Sequence, residues 1–215
     1  MRNELYDYQS FLQAAATFPK FCNEGDADLC KRELSFFFGH TTHEVGYETE
    51  GYIYPTWQQG FYYITELMCT PEDLSNTDCD YKSGADEWSS SVWPSSDGVQ
   101  YYGRGPFQIS WNYNYGQLST AIYDDATLLL EDPDLMATDG YSAFVSALWF
   151  YMTPQAPKPS IHELATKLYV PSASDVTKGL GPSFGASTMV INGGLECTTD
   201  DGTENANSLM RMEYH

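Results

Sequence analysis

The apolar segment Ala143–Tyr151 (AFVSALWFY) constrains the fold of this chain more than any other stretch. It is apolar almost all round a helical wheel and lies within Tyr141–Met152, which has the length of a helix. A helix that is hydrophobic on every side has to be buried, because it would otherwise expose apolar surface to water. The segment therefore predicts a central helix, with Trp149 and Phe150 in the core.

Further helices are predicted before this segment. Asp7 is a candidate N-cap for a helix from Tyr8 to Phe18, and Asp26 or Asp28 begins a second helix. Apolar residues at helical spacing predict the core face of the second helix: Leu34, Phe37, Phe38, Thr41 and Val45. Residues 46–100 are irregular, and loops of this size inside a compact domain are usually functional.

The rest of the chain is also predicted to be mainly helical. One helix is predicted to begin at Asn112 and a short one to cover Asp134–Met136. A third follows a capping box of Ser160 and Glu163 and extends to Leu168. A fourth covers Phe184–Ile191 and is predicted to stop at Asn192-Gly193-Gly194. A strand is predicted only near Pro106–Ser110. The predicted fold class is mainly α (α+β), with a small β element, in a single domain over residues 1–215.

Net charge restricts the partners of the chain. Its 30 acidic and 10 basic residues give a net charge of −20. This field repels nucleic acid and anionic membranes and favours a neutral or cationic polymer. The sequence has no run of 18 apolar residues, so no membrane span is predicted. We expect a secreted monomer whose signal peptide has been removed.

The five cysteines indicate an oxidising compartment. Two local pairs are predicted, Cys22–Cys30 and Cys69–Cys79, and Cys197 is left over. A structural zinc site is not expected, because the sequence contains no Cys-x-x-Cys.

The segment Tyr101–Gly116 (YYGRGPFQISWNYNYG) carries the strongest functional signal. It combines aromatic residues, glycines and uncharged hydrogen-bonding side chains with a single charge. This mixture suits a groove for a polar, uncharged polymer such as a polysaccharide. About half of its tyrosines (Tyr101, Tyr102, Tyr113 and Tyr115) are expected in the core and half on the groove wall, and Arg104 is expected in a structural ion pair.

Two glutamates are candidates for the acid and base of glycoside hydrolysis, which needs one protonated and one ionised carboxyl group. Glu44 lies at the rim of the apolar stripe of the second helix, where partial burial would raise its pKa. Glu66 follows in the irregular region. Spacing alone does not distinguish these two from ordinary loop acids, which include Glu48, Glu50, Glu72 and Glu87.

A metal site is not expected, and neither is a cofactor. His43, Glu44 and Glu48 form His-Glu-x-x-x-Glu rather than the zinc-binding His-Glu-x-x-His, and no third histidine follows nearby. His43 is then either a hydrogen-bonding neighbour of the acid or a structural histidine.

Segments in order along the whole chain resemble family 19 glycoside hydrolases, the plant-type endochitinases. They are FGHTTHE at 38–44, Glu66, the stretch at 101–116, DPDL at 132–135, ALWFYMTPQ at 147–155, PKPS at 157–160 and FGASTMVINGGLEC at 184–197. The resemblance implies a bilobal, lysozyme-like helical domain with a long substrate cleft. It also implies hydrolysis of β-1,4 links between N-acetylglucosamine units, with inversion of the anomeric centre.

The resemblance also assigns residue roles. Glu44 matches the proton donor, Glu66 the base that activates water, and Ser110 the hydroxyl that holds this water. Glu196 and Arg211 match a charged pair that orients the base. Substrate-binding positions are matched by His43, Trp93, Gln108, Tyr113, Asn114, Lys158, Ile191 and Asn192.

The chain departs from the plant pattern in several places. Gly46 stands where threonine is usual, and Tyr62 and Ser95 replace cysteines. We expect no cysteine-rich chitin-binding module before the domain. The expected ligand is chitin or a chitooligosaccharide. Two alternatives stay open: a peptidoglycan-cleaving relative, which the negative charge disfavours, and an inactive chitin-binding protein, which the presence of both glutamates disfavours.

Overall fold

The computed structural model describes residues 3–46, 56–84, 87–178, 180–197, 203 and 205–215. Within these residues the chain is mainly helical, which confirms the predicted fold class. The helices are α1 Tyr8–Ala16, α2 Ala27–Val45, α3 Thr56–Gln59, a 3-10 turn at Thr77–Cys79, α4 Trp88–Val92, α5 Asn112–Tyr123, α6 Leu128–Glu131, α7 Leu135–Thr138, α8 Gly140–Met152, α9 Ile161–Ala165, α10 Ala173–Thr177, α11 Phe184–Glu196 and α12 Ala206–Tyr214.

Side-chain caps begin the main helices where the sequence predicts them. Asp7 accepts a hydrogen bond from the backbone N–H of Ser10 at the start of α1, and Asp26 caps α2. Ser160 and Glu163 form the predicted capping box of α9, although this helix is shorter than predicted. The caps satisfy N–H groups that have no carbonyl partner in the first turn of a helix.

Helix α8 is the predicted central helix. Its residues 142–149 are all buried, and it packs against α1, α7 and α9. Trp149 is buried and Phe150 is half-buried against the same core. Tyr151 reaches α2, where its ring centroid lies 5.6 Å from that of Phe37. The aromatic contacts join α2 and α8 into one hydrophobic core.

Helix α2 is buried over a wider face than predicted. Phe37 and Val45 are fully buried as expected, but Phe38 is 37% exposed and Phe36 is fully buried instead. The prediction of Phe38 as a core residue is wrong because α2 is covered from two sides. Phe36 packs on Phe184 of α11, with ring centroids 5.2 Å apart, while Phe37 faces α8.

Most tyrosines of the 101–116 segment belong to the core. Tyr101, Tyr102 and Tyr115 are fully buried, so the expected even division between core and groove is wrong. Arg104 forms the predicted structural ion pair, with its Nε 2.7 Å from Asp134. Its guanidinium also lies 3.7 Å from the centroid of the Tyr102 ring, and this stacking compensates part of the cost of burying the charge.

The predicted β element is reduced to isolated bridges in the described residues. Arg104 bridges both Thr65 and Ile109. The backbone N–H of Glu66 donates to the carbonyl of Gly103 at 2.8 Å. Segment 64–66 therefore lies alongside the 103–109 turn, which positions Glu66 next to the sequence motif.

Helix α11 does not stop where predicted. It continues to Glu196 across Asn192, whose φ of −142° and ψ of 35° interrupt the helical geometry. The Asn-Gly-Gly sequence thus produces a kink rather than an end, and the turn after the kink carries Glu196 into the protein interior, where it is 3% exposed.

Both predicted disulfides are present, Cys22–Cys30 and Cys69–Cys79. Cys197 is exposed and has no disulfide partner among the described residues. The Cys69–Cys79 bridge closes the loop that follows Glu66, and this restricts the region on the C-terminal side of that glutamate. Among the described residues, no helix is both long and apolar enough to cross a membrane.

Candidate active site

A cavity of about 750 Å³ brings together much of the predicted site. Both candidate glutamates, Glu44 and Glu66, line it. Its complete lining in the described residues is His43, Glu44, Gly46, Tyr63, Thr65, Glu66, Leu67, Tyr81, Gly103, Phe107, Gln108, Ser110, Trp111, Ile191, Asn192 and Leu195. Seven of the predicted site residues therefore share one cavity, although they come from α2, the 61–67 segment, the 103–111 turn and α11.

Glu44 lies in the last turn of α2, and its side chain is 17% exposed. Burial raises the pKa of Glu44 above its ordinary value, and the cation of Arg211 opposes this rise. The Nη2 of Arg211 donates to Glu44 Oε1 at 2.5 Å. The net direction favours a protonated carboxyl group, as predicted from its position at the rim of the apolar stripe.

Arg211 is shared between two carboxyl groups. Its Nε and Nη2 contact the two carboxylate oxygens of Glu196 at 2.8 and 2.7 Å. The Asn192 amide donates to Glu196 Oε1 at 2.9 Å. Burial opposes ionisation of Glu196, but the hydrogen bond and charge of Arg211, together with the hydrogen bond from Asn192, outweigh it and lower the Glu196 pKa. One ionised Glu196 neutralises Arg211, so a proton on Glu44 leaves the buried group without net charge.

The prediction that Glu196 and Arg211 support the base Glu66 is wrong. Arg211 contacts Glu44 and Glu196, because α12 packs directly on α2. Glu66 has other partners. The Tyr81 hydroxyl donates to its Oε1 at 2.7 Å and the Gly103 backbone N–H donates to its Oε2 at 3.1 Å.

The backbone around Glu66 carries unusual conformations. Tyr81, Gln108 and Trp111 all line the cavity and have φ values of 46°, 47° and 76°, respectively. Non-glycine residues rarely adopt positive φ, and such strain persists where surrounding structure enforces it, often at functional sites. The Gln108 side chain donates to the carbonyl of Gly105 at 3.0 Å, which fixes it beside Ser110.

Four predicted binding residues do not line the cavity. Trp93 packs on α5, Tyr113 stacks on Trp111 with ring centroids 6.1 Å apart, and the Asn114 amide donates to the Ser110 carbonyl at 2.9 Å. Lys158 is exposed, and its Nζ contacts the carbonyl of Val190 at 3.3 Å. Tyr113 and Asn114 therefore hold lining residues in place, and Lys158 lies beside the α11 part of the lining.

His43 lines the cavity as a neutral imidazole. Burial, followed by the charge of Arg211, lowers its pKa to about 4. Its Nδ1 is buried and has no hydrogen-bond partner in the described part of the chain. No group of three or more potential metal-ligating side chains occurs among the described residues. Glu48, the third member of the weak metal motif, lies outside the described residues, as does Glu50.

Comparison with known proteins identifies the family. The sequence profile described as class I chitinase, glycoside hydrolase family 19, matches residues 1–213. The chain belongs to this family. It is 47% identical to "Endochitinase A2" of Pisum sativum over 89% of the chain and 54% of the relative. It is 45% identical to "Inactive chitinase-like protein 1" of Hevea brasiliensis over 89% of the chain and 56% of the relative.

The chain thus spans about half the length of the curated relatives it matches. Solved family members have the same fold. The class IV chitinase from Zea mays is 32% identical, with a TM-score of 0.66 over 98% of this chain and 78% of that one. Chitinase C from Streptomyces griseus HUT6037 is 27% identical, with a TM-score of 0.68 over 99% and 68%. These matches support the lysozyme-like family fold that the sequence implies.

Several lining residues were missed by the sequence prediction. Gly103 and Trp111 belong to the 101–116 segment, so the functional signal of that segment could have predicted both as lining residues. Tyr81 stands in the irregular region without any periodic signal, and only the tertiary structure brings its hydroxyl to Glu66. In this family member, the cavity therefore holds one carboxyl group with a raised pKa and a second held by two hydrogen-bond donors.

Proposed function

We propose that the chain is an endo-acting chitinase that hydrolyses β-1,4 links between N-acetylglucosamine units with inversion. The observation that carries this proposal is the shared cavity, which receives Glu44 and Glu66 from different elements and includes Ser110. Membership of the class I chitinase family supports the same conclusion. The catalytic unit is residues 1–215, acting as a secreted monomer, and the two disulfides support an oxidising location.

The proposed reaction is a single displacement. Glu44 gives its proton to the leaving glycosidic oxygen as the bond to the anomeric carbon breaks. A water molecule attacks that carbon from the opposite face and passes its proton to Glu66. Inverting enzymes separate these carboxyl groups by about 6.5–9.5 Å to seat the water. The Ser110 hydroxyl orients this water, and Tyr81 and Gly103 fix the carboxylate of Glu66.

Arg211 has a role on the acid side of this reaction. Proton transfer leaves Glu44 as a buried anion, which Arg211 stabilises through its 2.5 Å contact. The remaining predicted residues bind the sugar chain. Amide groups suit the acetamide and hydroxyl groups of the substrate, because each amide offers donors and an acceptor. Of this set, His43, Gln108, Ile191 and Asn192 line the cavity, whereas Trp93, Tyr113, Asn114 and Lys158 act from outside its lining, by holding lining residues in place or by binding sugar units at its edge.

An inactive chitin-binding protein is the second candidate, because one close match is named as an inactive chitinase-like protein. The raised pKa of Glu44 favours the active alternative, since a pure binding site has no need of a protonated acid. A peptidoglycan-cleaving activity is the third candidate, and the net charge of −20 opposes it because bacterial cell walls are anionic.

The test is an anomer-resolved time course on chitin hexamer with three proteins. The unaltered chain should release short oligomers that are initially α-anomeric. Glu44→Gln should lose about 100- to 10,000-fold in kcat or more, because the proton donor is removed. Glu72→Gln is the matched control, since Glu72 is an exposed loop acid, and it should keep the full rate. An unchanged rate in Glu44→Gln contradicts the assignment of the acid, and β-anomeric first products contradict inversion.

A further inference from the structure

A second cavity adjoins the candidate active site. It has a volume of about 420 Å³ and shares Tyr81 and Trp111 with the first cavity. Its lining in the described residues is Thr77, Asp78, Asp80, Tyr81, Lys82 and Trp111. Because Tyr81 also donates to Glu66, the second cavity lies immediately beyond the proposed base. A polymer bound across Glu66 would therefore extend into it.

Trp111 supplies an aromatic platform at the junction of the two cavities. It is 39% exposed, although most aromatic residues of its segment are buried. The ring stacks on Tyr113 at an interplanar angle of 23° and meets the edge of Tyr81 at 89°, with centroids 6.1 and 5.5 Å apart. Packing on two sides fixes the ring orientation and leaves its remaining surface open to a sugar ring.

The backbone keeps this platform in place at an energetic cost. The φ of 76° and ψ of 130° at Trp111 are unfavourable for a residue with a side chain. Its N–H donates to the Tyr101 carbonyl at 2.9 Å, and the N–H of Asn112 donates to the Tyr81 carbonyl at 3.1 Å. These bonds hold Trp111 against Tyr101 and tie Tyr81 to the 101–116 segment.

The charges of the second cavity distinguish it from the first. Asp78 is exposed, and no ion-pair partner lies near it in the described part of the chain. Asp80 is 3.9 Å from the Lys82 ammonium, a distance too long for a close ion pair, and it also accepts from the Gln100 amide at 3.2 Å. Asp78 and Asp80 together with Lys82 give the lining a net negative charge. The Trp111 ring lies beside them, and the face of an indole ring attracts cations.

We propose that this second cavity is an accessory subsite that binds a deacetylated sugar unit, glucosamine in its ammonium form. The sugar ring stacks on Trp111, and the ammonium at carbon 2 faces Asp78 and Asp80. The placement of this subsite on a chitin-type chain rests on the proposed function. The resulting substrate class is partially deacetylated chitin, with a glucosamine unit at a fixed distance from the cleaved bond.

The first test measures binding without turnover, in the Glu44→Gln background. Dissociation constants are compared for the fully acetylated hexamer and for a hexamer preparation that carries about one glucosamine per chain. At a pH where the amine is protonated, the second ligand should bind about three- to tenfold more tightly. The preference should disappear at a pH where the amine is neutral. Equal affinities at both pH values overturn the proposal.

Variants separate the platform from the charges. Asp78→Asn and Asp80→Asn should each reduce the preference about two- to fivefold, and Lys82→Met should increase it. Asp97→Asn, at another exposed acid, is the matched control and should leave it unchanged. Trp111→Gly should weaken both ligands while keeping the fold, because glycine accepts the positive φ. A preference that survives both aspartate substitutions overturns the proposal.

A second measurement distinguishes this proposal from the proposed function. Products of the unaltered chain acting on partially deacetylated chitin are sequenced by mass spectrometry. Glucosamine should be enriched at one fixed position counted from the cleavage point, and Asp78→Asn should reduce the enrichment. Cleavage with a random distribution retains the chitinase proposal and rejects the subsite. Selective binding by Glu44→Gln, without any cleavage by the unaltered chain, retains the subsite and rejects the chitinase proposal.

Discussion

Arg211 is the residue that most strongly controls the chemistry proposed for Glu44. It is 1% exposed and lies between two carboxyl groups, so it influences the protonation of both. Burial of Glu44 and the charge of Arg211 act on the Glu44 pKa in opposite directions. The proportion of protonated acid at working pH is the result of that opposition.

Removal of the cation should move the pH profile in a defined direction. We predict that Arg211→Met combined with Glu196→Gln raises the Glu44 pKa further, because the stronger lowering influence of Arg211 disappears together with the weaker raising influence of Glu196. The alkaline limb of kcat/KM reports the pKa of the acid, so it should move to higher pH, by on the order of 1 pH unit.

Two further variants control this prediction. Arg211→Lys keeps the positive charge and should leave the limb near its original position. Arg211→Met alone leaves Glu196 buried and unpaired, so it should lower the free energy of unfolding by about 3–5 kcal/mol. The assignment of Glu44 as the acid fails if the alkaline limb of the double variant stays where it is in the unaltered chain.

Residue roles were only partly predictable from the sequence. The raised pKa of Glu44 could be predicted, because its position at the rim of the apolar stripe of α2 indicates burial, but the family resemblance was needed to select it as the acid. The contact between Arg211 and Glu44 could not be predicted, because 167 positions separate the two residues and only the packing of α12 on α2 joins them. Tyr81 was missed for the same reason, since its contact with Glu66 depends on the path of an irregular loop.

At the scale of elements, α5 is held by a close contact with Trp93. A Cβ added to Gly116 of α5 would lie 2.2 Å from the Trp93 ring, so only glycine allows this approach. The Asn112 amide also donates to the Trp93 carbonyl at 2.7 Å. Trp93 therefore fixes the helix that follows Trp111 in the chain, which explains why it packs here instead of lining the cavity.

Two glycine substitutions should have opposite effects on stability. Gly116→Ala should lower the free energy of unfolding by about 1–3 kcal/mol, because the clash with Trp93 exceeds the gain in helix propensity. Gly185→Ala in α11 is the matched control, since a Cβ there has nothing within 4 Å, and it should raise stability by up to about 1 kcal/mol. Urea unfolding measures both, and equal effects of the two substitutions contradict this account.

The elements themselves were more predictable than their packing. Caps such as Asp7 and the Ser160–Glu163 box fixed helix starts, because capping is local chemistry. The kink at Asn192 and the burial of Phe36 depend on neighbours distant in sequence, so a local pattern could not supply them. The strand predicted near Pro106–Ser110 is a turn with isolated bridges, because its pairing with segment 64–66 also depends on residues distant in sequence.

At the scale of the whole molecule, the net charge of −20 is the main property that local contacts do not explain. Like charges repel one another and reduce the stability of the compact state. The same field attracts a cationic glycan and repels an anionic cell wall. Salt screens both effects, since the Debye length falls from about 30 Å at 0.01 M to about 3 Å at 1 M.

Added salt should therefore change stability and activity together. We predict that raising NaCl from about 0.02 to 0.5 M increases stability by on the order of 1 kcal/mol, or about 2–4 °C in Tm, measured by differential scanning calorimetry. The increase should shrink as the pH approaches the isoelectric point of 4.2, where the net charge vanishes. In parallel, kcat/KM should fall for partially deacetylated chains and change little for the acetylated hexamer, because only the former are steered by charge. A rate on the acetylated hexamer that falls as steeply as the rate on the cationic chains would show that salt acts on the catalytic residues rather than through the long-range field.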